Sequence, residues 1–246
     1  MAENRPDPTA GAKMLFLIKR RETTSREELI AHWFANHMPG VIAGQAAQRE
    51  AGKLHATRYV ATVYSPNRHG ANPWDGMAQL WFDEPLPTPA EPHGTQPADS
   101  FQERAEPYVP WPTTEYVVID PTPLLDTTPL TLNPPFPCTR SGFHKVSFLV
   151  ATNSGADHEE FFDHWLDVHV PNVASVMGEV GGFGYVVSHS MKPDHEQYAG
   201  LAELYFHDEA GWAEFQNVIK PDGMERWTDG GRTVVLRSGT EMIGIA

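Results

Sequence analysis

The pattern of apolar and polar positions repeats along the chain. Two short apolar runs, Met14-Leu15-Phe16-Leu17-Ile18 and Val146-Ser147-Phe148-Leu149-Val150, lie 132 residues apart and predict strands over about 13–20 and about 144–151. Each is followed by a helix-start signal. Ser25-Arg26-Glu27-Glu28 reads as a capping box, and Asp157-His158-Glu159-Glu160 repeats it. The same offset superposes His32-Trp33 on His164-Trp165, His37 on His169 and Pro39 on Pro171. The prolines predict a break or bend in each helix near Met38 and Val170. A second helical segment in each copy ends near Gly52 and Gly181, where glycine can close a helix in a left-handed conformation.

Later elements match at other offsets, as loop insertions in a duplicated chain would produce. Tyr59–Tyr64 and Tyr185–Ser188 form the second strand pair, and Ala78–Phe82 corresponds to Ala202–Phe206 at offset 124. Thr114–Val117 corresponds to Thr240–Ile243 at offset 126 and closes each copy with a strand. A helix is expected at Ala210–Phe215, with a weaker counterpart near Phe101–Ala105. The resulting order, β-α-β-β-α-β, is ferredoxin-like, so the expected class is α+β with two tandem repeats.

Proline sets the boundaries. Of 22 prolines, fourteen fall between Pro85 and Pro137. Glu84–Pro97 reads as an irregular loop, since proline lacks the donor that helices and central strands need. The chain divides into a polar tail at 1–12, a first repeat at 13–120, a proline-rich connector at 121–143 and a second repeat at 144–246.

Composition narrows the partners. The 246 residues carry 18 basic and 32 acidic side chains, a formal net charge of -14, with 17 of the acidic groups after Pro123. An acidic chain without a basic stripe makes nucleic acid an unsuitable partner. Five consecutive apolar residues fall far below the ~20 of a membrane helix, and the N-terminus has no apolar export core; a soluble, cytoplasmic protein is expected. Cys138 is the single cysteine, which excludes an internal disulfide and a cysteine-based zinc site.

The informative chemistry lies on the first helix of each copy. At about 100° per residue from Leu29, the stripe of Leu29, Ile30, Trp33 and Phe34 centres near 70° and His37 falls near 80°, on the buried side. His169 occupies the same place after Phe161, Phe162, Trp165 and Leu166. A histidine there is either a core residue bonded to a backbone carbonyl or a general acid or base working near neutral pH. His32 falls near 300°, on the polar flank, and Glu28 before His32 and Glu160 before His164 fit exposed pairs four apart. Five-residue spacing sends His32 and His37 about 140° apart, so no metal site is expected.

The paired segments His32-Trp33-Phe34-Ala35-Asn36-His37-Met38-Pro39 and His164-Trp165-Leu166-Asp167-Val168-His169-Val170-Pro171 resemble the EthD family of dimeric α+β barrel proteins. The resemblance implies that the two antiparallel sheets pack as an α+β barrel within one chain. Trp-x-x-x-His-x-Pro is also similar to bacterial chalcone isomerase, which implies an acid/base role for His37. The expected function is a cofactor-independent enzyme moving protons beside a carbonyl (isomerisation, cyclisation or elimination) on a small aromatic or polyketide-like molecule. His37 or His169 would move the proton, and Trp33, Trp165, Tyr59, Tyr185, Phe16 and Phe148 would line an apolar pocket. The alternatives are a haem-binding or cofactor-free monooxygenase of the same superfamily, or a non-catalytic small-ligand-binding protein. A homodimer is a further assembly open to the chain. A roomy cavity beside only one of the two histidines would show which copy works.

Overall fold

The computed structural model describes residues 5–67, 72–125 and 135–246. The middle of the connector, 126–134, lies outside the described residues. The chain forms two compact units, and neither is a continuous stretch of sequence.

One unit is built on the first repeat, residues 10–112, with 238–246 added from the C-terminus. Its strands are β1 (Ala12–Ile18), β2 (Arg58–Val63) and β3 (Gly76–Phe82). β3 pairs antiparallel with β1 and with β2. The free edge of β2 is taken by the end of the last strand of the chain, Val60 opposite Ile243. On one face lie α1 (Arg26–His32), a π-helical turn (Trp33–His37) and α2 (Met38–Glu50). The capping box forms: Ser25 accepts the amide of Glu28 at 3.1 Å, and Glu28 accepts that of Ser25 at 2.9 Å. Leu29, Trp33, Phe101 and Met242 are buried together between helix and sheet.

The other unit is built on the second repeat, with Thr113–Ile119 of strand β4 (Trp111–Ile119) added from the first. The remaining strands are β5 (Cys138–Val150), β6 (Gly182–Ser190), β7 (Gly200–Phe206) and β8 (Val234–Ile245). β7 pairs antiparallel with β5 and β6, and β6 pairs with β4. The helices are α3 (His158–His164), a second π-helical turn (Trp165–His169), α4 (Val170–Glu179) and α5 (Glu209–Val218). Asp157 caps α3 and Asp208 caps α5, each accepting two backbone amides.

The α+β class and its antiparallel strands stand as expected. Four local expectations change. The closing strands are exchanged: the first repeat's pairs with β6, and the second repeat's with β2. Pro39 and Pro171 do not end the helices, because each sits in the first turn of the following helix, where a missing amide costs little. The Phe101–Ala105 segment forms turns, whereas Ala210–Phe215 lies in helix α5. Strand β5 begins at Cys138, so the end of the proline-rich segment is strand rather than connector. The sheet faces turned away from the helices include buried polar side chains among apolar ones such as Leu15 and Leu149. On β5 and β7, Lys145 and Glu203 pair at 2.6 Å with almost no exposure. In the first unit, Glu241 pairs with Arg140 at 2.6 Å and accepts from Thr62.

Candidate functional site

In the second repeat, α3 and the π turn place His169 beside a carboxylate that lies 53 residues further along. His169 Nδ1 is 2.7 Å from Asp222 Oδ2, and Asn172 donates to the same oxygen at 2.7 Å. Asp222 Oδ1 accepts the backbone N–H of Met224 at 3.2 Å and lies 3.8 Å from His164 Nε2. Burial alone would raise the pKa of this carboxyl, but the bonds from His169 and Asn172 and the imidazole charge outweigh it and hold it below the usual carboxylate range. Asp222 is therefore an anion that accepts the Nδ1 proton of His169, and the nitrogen left with a lone pair is Nε2.

His169 lines a cleft of about 500 Å3 walled by Phe148, Trp165, Tyr185, Trp212 and Phe215. The Trp165 indole N–H approaches the Tyr185 hydroxyl oxygen, and neither that hydroxyl's own proton nor the Trp212 indole N–H has an acceptor among the described residues. Unpaired buried donors are costly unless a ligand or water completes them. Burial pushes the Tyr185 phenol far above its ordinary pKa, so it stays protonated and able to donate.

The first repeat contains the same dyad in a more crowded setting. His37 Nδ1 is 2.6 Å from Asp99 Oδ2, while Asp99 Oδ1 accepts the amides of Phe101 and Gln102. Here Trp33 Nε1 donates to the Tyr59 hydroxyl at 3.2 Å, so the indole is satisfied within the protein. The cavity measures about 220 Å3 and is lined by Phe16, Trp33, His37 and Tyr59. Leu86 and His93 of the proline loop, and Tyr108, which bridges to His93, complete its wall.

The eight residues expected at a site thus divide evenly between two clefts, and the roomy one belongs to the second repeat. The flank assignment of His32 and His164 is corrected. His32 Nδ1 is 2.8 Å from Ser100 Oγ, and His164 lies over Trp227 and faces Asp222. Glu28 serves the capping box instead of pairing with His32. The cause is the π turn. Its i→i+5 hydrogen bond, from the Val170 amide to the Trp165 carbonyl, brings residues five apart onto one face. The expected 140° divergence assumed an unbroken α-helix. Asp99 and Asp222 were the decisive omission. A signal existed in Pro97-Ala98-Asp99 against Pro221-Asp222, with Glu103-Arg104 matching Glu225-Arg226 at offset 122.

A larger hollow of about 610 Å3 lies beside α1 and is lined by Ile30, Phe34 and Met242. Its one charged side chain, Arg26, is committed to the Tyr64 carbonyl, so it offers no reacting group. Among the described residues, no group of three or more His, Cys, Asp or Glu side chains could hold a metal ion, and no helix is long and apolar enough to cross a membrane.

The model of the EthD domain matches residues 153–231. No curated protein matches the chain. Similar solved structures include a mutant chlorite dismutase from Candidatus Nitrospira defluvii, 8% identical with TM-score 0.46 and covering 94% of this chain and 92% of that one. An anthrone oxidase-like protein is 12% identical with TM-score 0.47, covering 98% and 92%. A haem-binding protein from Thermus thermophilus is 13% identical with TM-score 0.42, covering 96% and 94%. These are similarities of fold. The similarity to chalcone isomerase has no support among them. The expectation that the fold implies no cofactor is corrected, because a haem-binding protein stands among these neighbours. The matched segment lies within the second repeat and contains His164, His169 and Asp222.

Proposed function

We propose that the second repeat is the working half of an enzyme that takes a small aromatic or polyketide-like molecule into the cleft beside His169. The observation that carries this reading is the His169–Asp222 pair on the wall of an apolar cleft into which the Tyr185 hydroxyl proton, without an acceptor among the described residues, is available to donate. Asp222 fixes the imidazole's tautomer and orientation, leaving Nε2 to accept or return a proton. The buried carboxylate also stabilises the imidazolium that forms. Tyr185 donates to an oxygen of the substrate, and its resistance to ionisation keeps that donation available as charge develops there. Phe148, Trp212 and Phe215 stack on the ring system and exclude water.

The same donor set supports a second reading, in which the cleft holds haem. An imidazole whose Nδ1–H is held by a carboxylate is oriented as metal-ligating histidines are, and an apolar cleft of about 500 Å3 suits a planar macrocycle. His169 would hold the iron, with Asp222 and Asn172 fixing the ring. Haem, when bound, supplies one-electron and oxygen chemistry.

Both readings place the working nitrogen on His169, and one titration separates them. Purified protein titrated with haemin develops a Soret band that His169→Ala loses if the cleft holds haem. Titrated with 1-naphthol, it shows binding that Tyr185→Phe weakens if the cleft takes an aromatic substrate. Binding of neither probe refutes the assignment of this cleft.

A further inference from the structure

We infer that the first repeat holds a second, separate binding site, in the cavity beside His37, which takes a compact neutral phenol. The argument uses the first unit alone and does not depend on what the second cleft does. A cavity of about 150 Å3 is enough to hold benzene, so the 220 Å3 here is room for one ring with a substituent.

The walls select the ligand. Phe16 and Tyr108 meet edge to face at 6.1 Å, and Phe101 lies 4.5 Å from the His37 ring, giving an aromatic enclosure for a single planar ring. One edge of the cavity is polar. The Gln102 amide donates to the Tyr108 hydroxyl at 3.2 Å, which leaves that hydroxyl's proton for an oxygen of the ligand. His93 stands beside it, 5.6 Å from the Tyr108 ring, and its backbone N–H and C=O are both tied to Tyr108. Burial, and the neighbouring His37, lower the pKa of His93, so its imidazole is neutral at pH 7 and can accept a phenolic proton. A hydroxyl that donates to one group and accepts from the other satisfies both. Among the described residues no lysine or arginine lines the cavity, and the Asp99 carboxylate is bonded to His37 Nδ1, so a carboxylate ligand would enter without a countercharge. The proline loop that supplies Leu86 and His93 follows β3, where in the second repeat helix α5 follows β7. It therefore makes this cavity different in kind from the second cleft.

The test uses the full chain, with phenol, benzoate and toluene as probes, and reads the ring-nitrogen NMR signals of His37 and His93. Phenol is expected to shift both sets of signals saturably, and to bind at least tenfold tighter than benzoate or toluene. Tyr108→Phe is expected to weaken phenol about tenfold and leave toluene unchanged. Leu86→Trp, which fills the cavity, should abolish the shifts. The proposal is overturned if saturating phenol leaves both rings unmoved, if the three probes bind alike, or if Tyr108→Phe binds phenol as the wild type does. Should Leu86→Trp fail to fold, the conservative Tyr108→Phe variant decides. Signals from His37 and His93 report this cavity alone, so failure here is separate from failure at His169.

Discussion

Acid should destabilise this protein through one buried histidine, His189 at the end of β6. Its ring stacks on Phe162 at 4.2 Å and lies 4.9 Å from Trp165, and its Nε2 has no partner. Burial, with a smaller contribution from the positive charge of Arg5, lowers its pKa from 6.5 to about 3. A folded-state pKa depressed in this way means that the native state binds the proton less readily than the unfolded chain. The stability is therefore fully present above pH 6.5 and is lost as pH falls from 6.5 towards 3. At pH 5 the gap of 1.5 units below the unfolded value, at about 1.4 kcal/mol per unit, costs about 2 kcal/mol. His189→Phe keeps a ring against Phe162 and removes the titration. Urea unfolding of both proteins at pH 7.5 and pH 5.0 measures the difference, and other titrating groups cancel in the comparison. The wild type should lose about 2 kcal/mol more than His189→Phe between the two pH values. Equal losses within about 0.5 kcal/mol, the size of an ordinary surface effect, would refute the reasoning.

Other expected outcomes follow from the same packing. Tyr59→Phe orphans the Trp33 indole and should cost about 1–2 kcal/mol, whereas Tyr185→Phe breaks only a weaker contact with Trp165 and should cost less; paired denaturation curves check both. Gly200→Ala would place a methyl group 2.8 Å from the Trp165 ring and 2.9 Å from the Ser188 carbonyl, and Gly76→Ala would crowd Trp33 and the Thr62 carbonyl likewise. Each should lower stability by about 1–3 kcal/mol, read as a fall in Tm. Arg5→Ala breaks contacts with Asp163 and Asp167 that are largely exposed, and urea unfolding should show a change below about 1 kcal/mol.

Much of the local structure was legible because local physics decides it. Ser25 and Glu28 close the capping box that their spacing announced, and Gly52 and Gly181 take the positive φ that follows a helix end. The apolar runs became β1 and β5, and the repeat told which elements correspond. Three features were not legible. Strand partners are chosen by long-range packing, so the exchange of β4 and the end of β8 leaves no trace in either strand's own pattern. The π turns lie between the paired histidines, so they change the angle from His32 to His37 and from His164 to His169 that an unbroken α-helix would give. The site itself was half visible. Burial angle singled out His37 and His169, but the carboxylates that orient them lie 62 and 53 residues away, and no helical or strand period spans that distance.

The claim that the second repeat holds the working cleft is tested most directly by 1-naphthol binding to the wild type and three variants, followed by ligand fluorescence. The wild type should bind one equivalent. His169→Ala and Tyr185→Phe should each weaken it about tenfold, the equivalent of about 1.4 kcal/mol, while His37→Ala leaves it unchanged because His37 lines the other, smaller cavity. Binding that survives His169→Ala and Tyr185→Phe but falls with His37→Ala would contradict the account and move the working site to the first repeat.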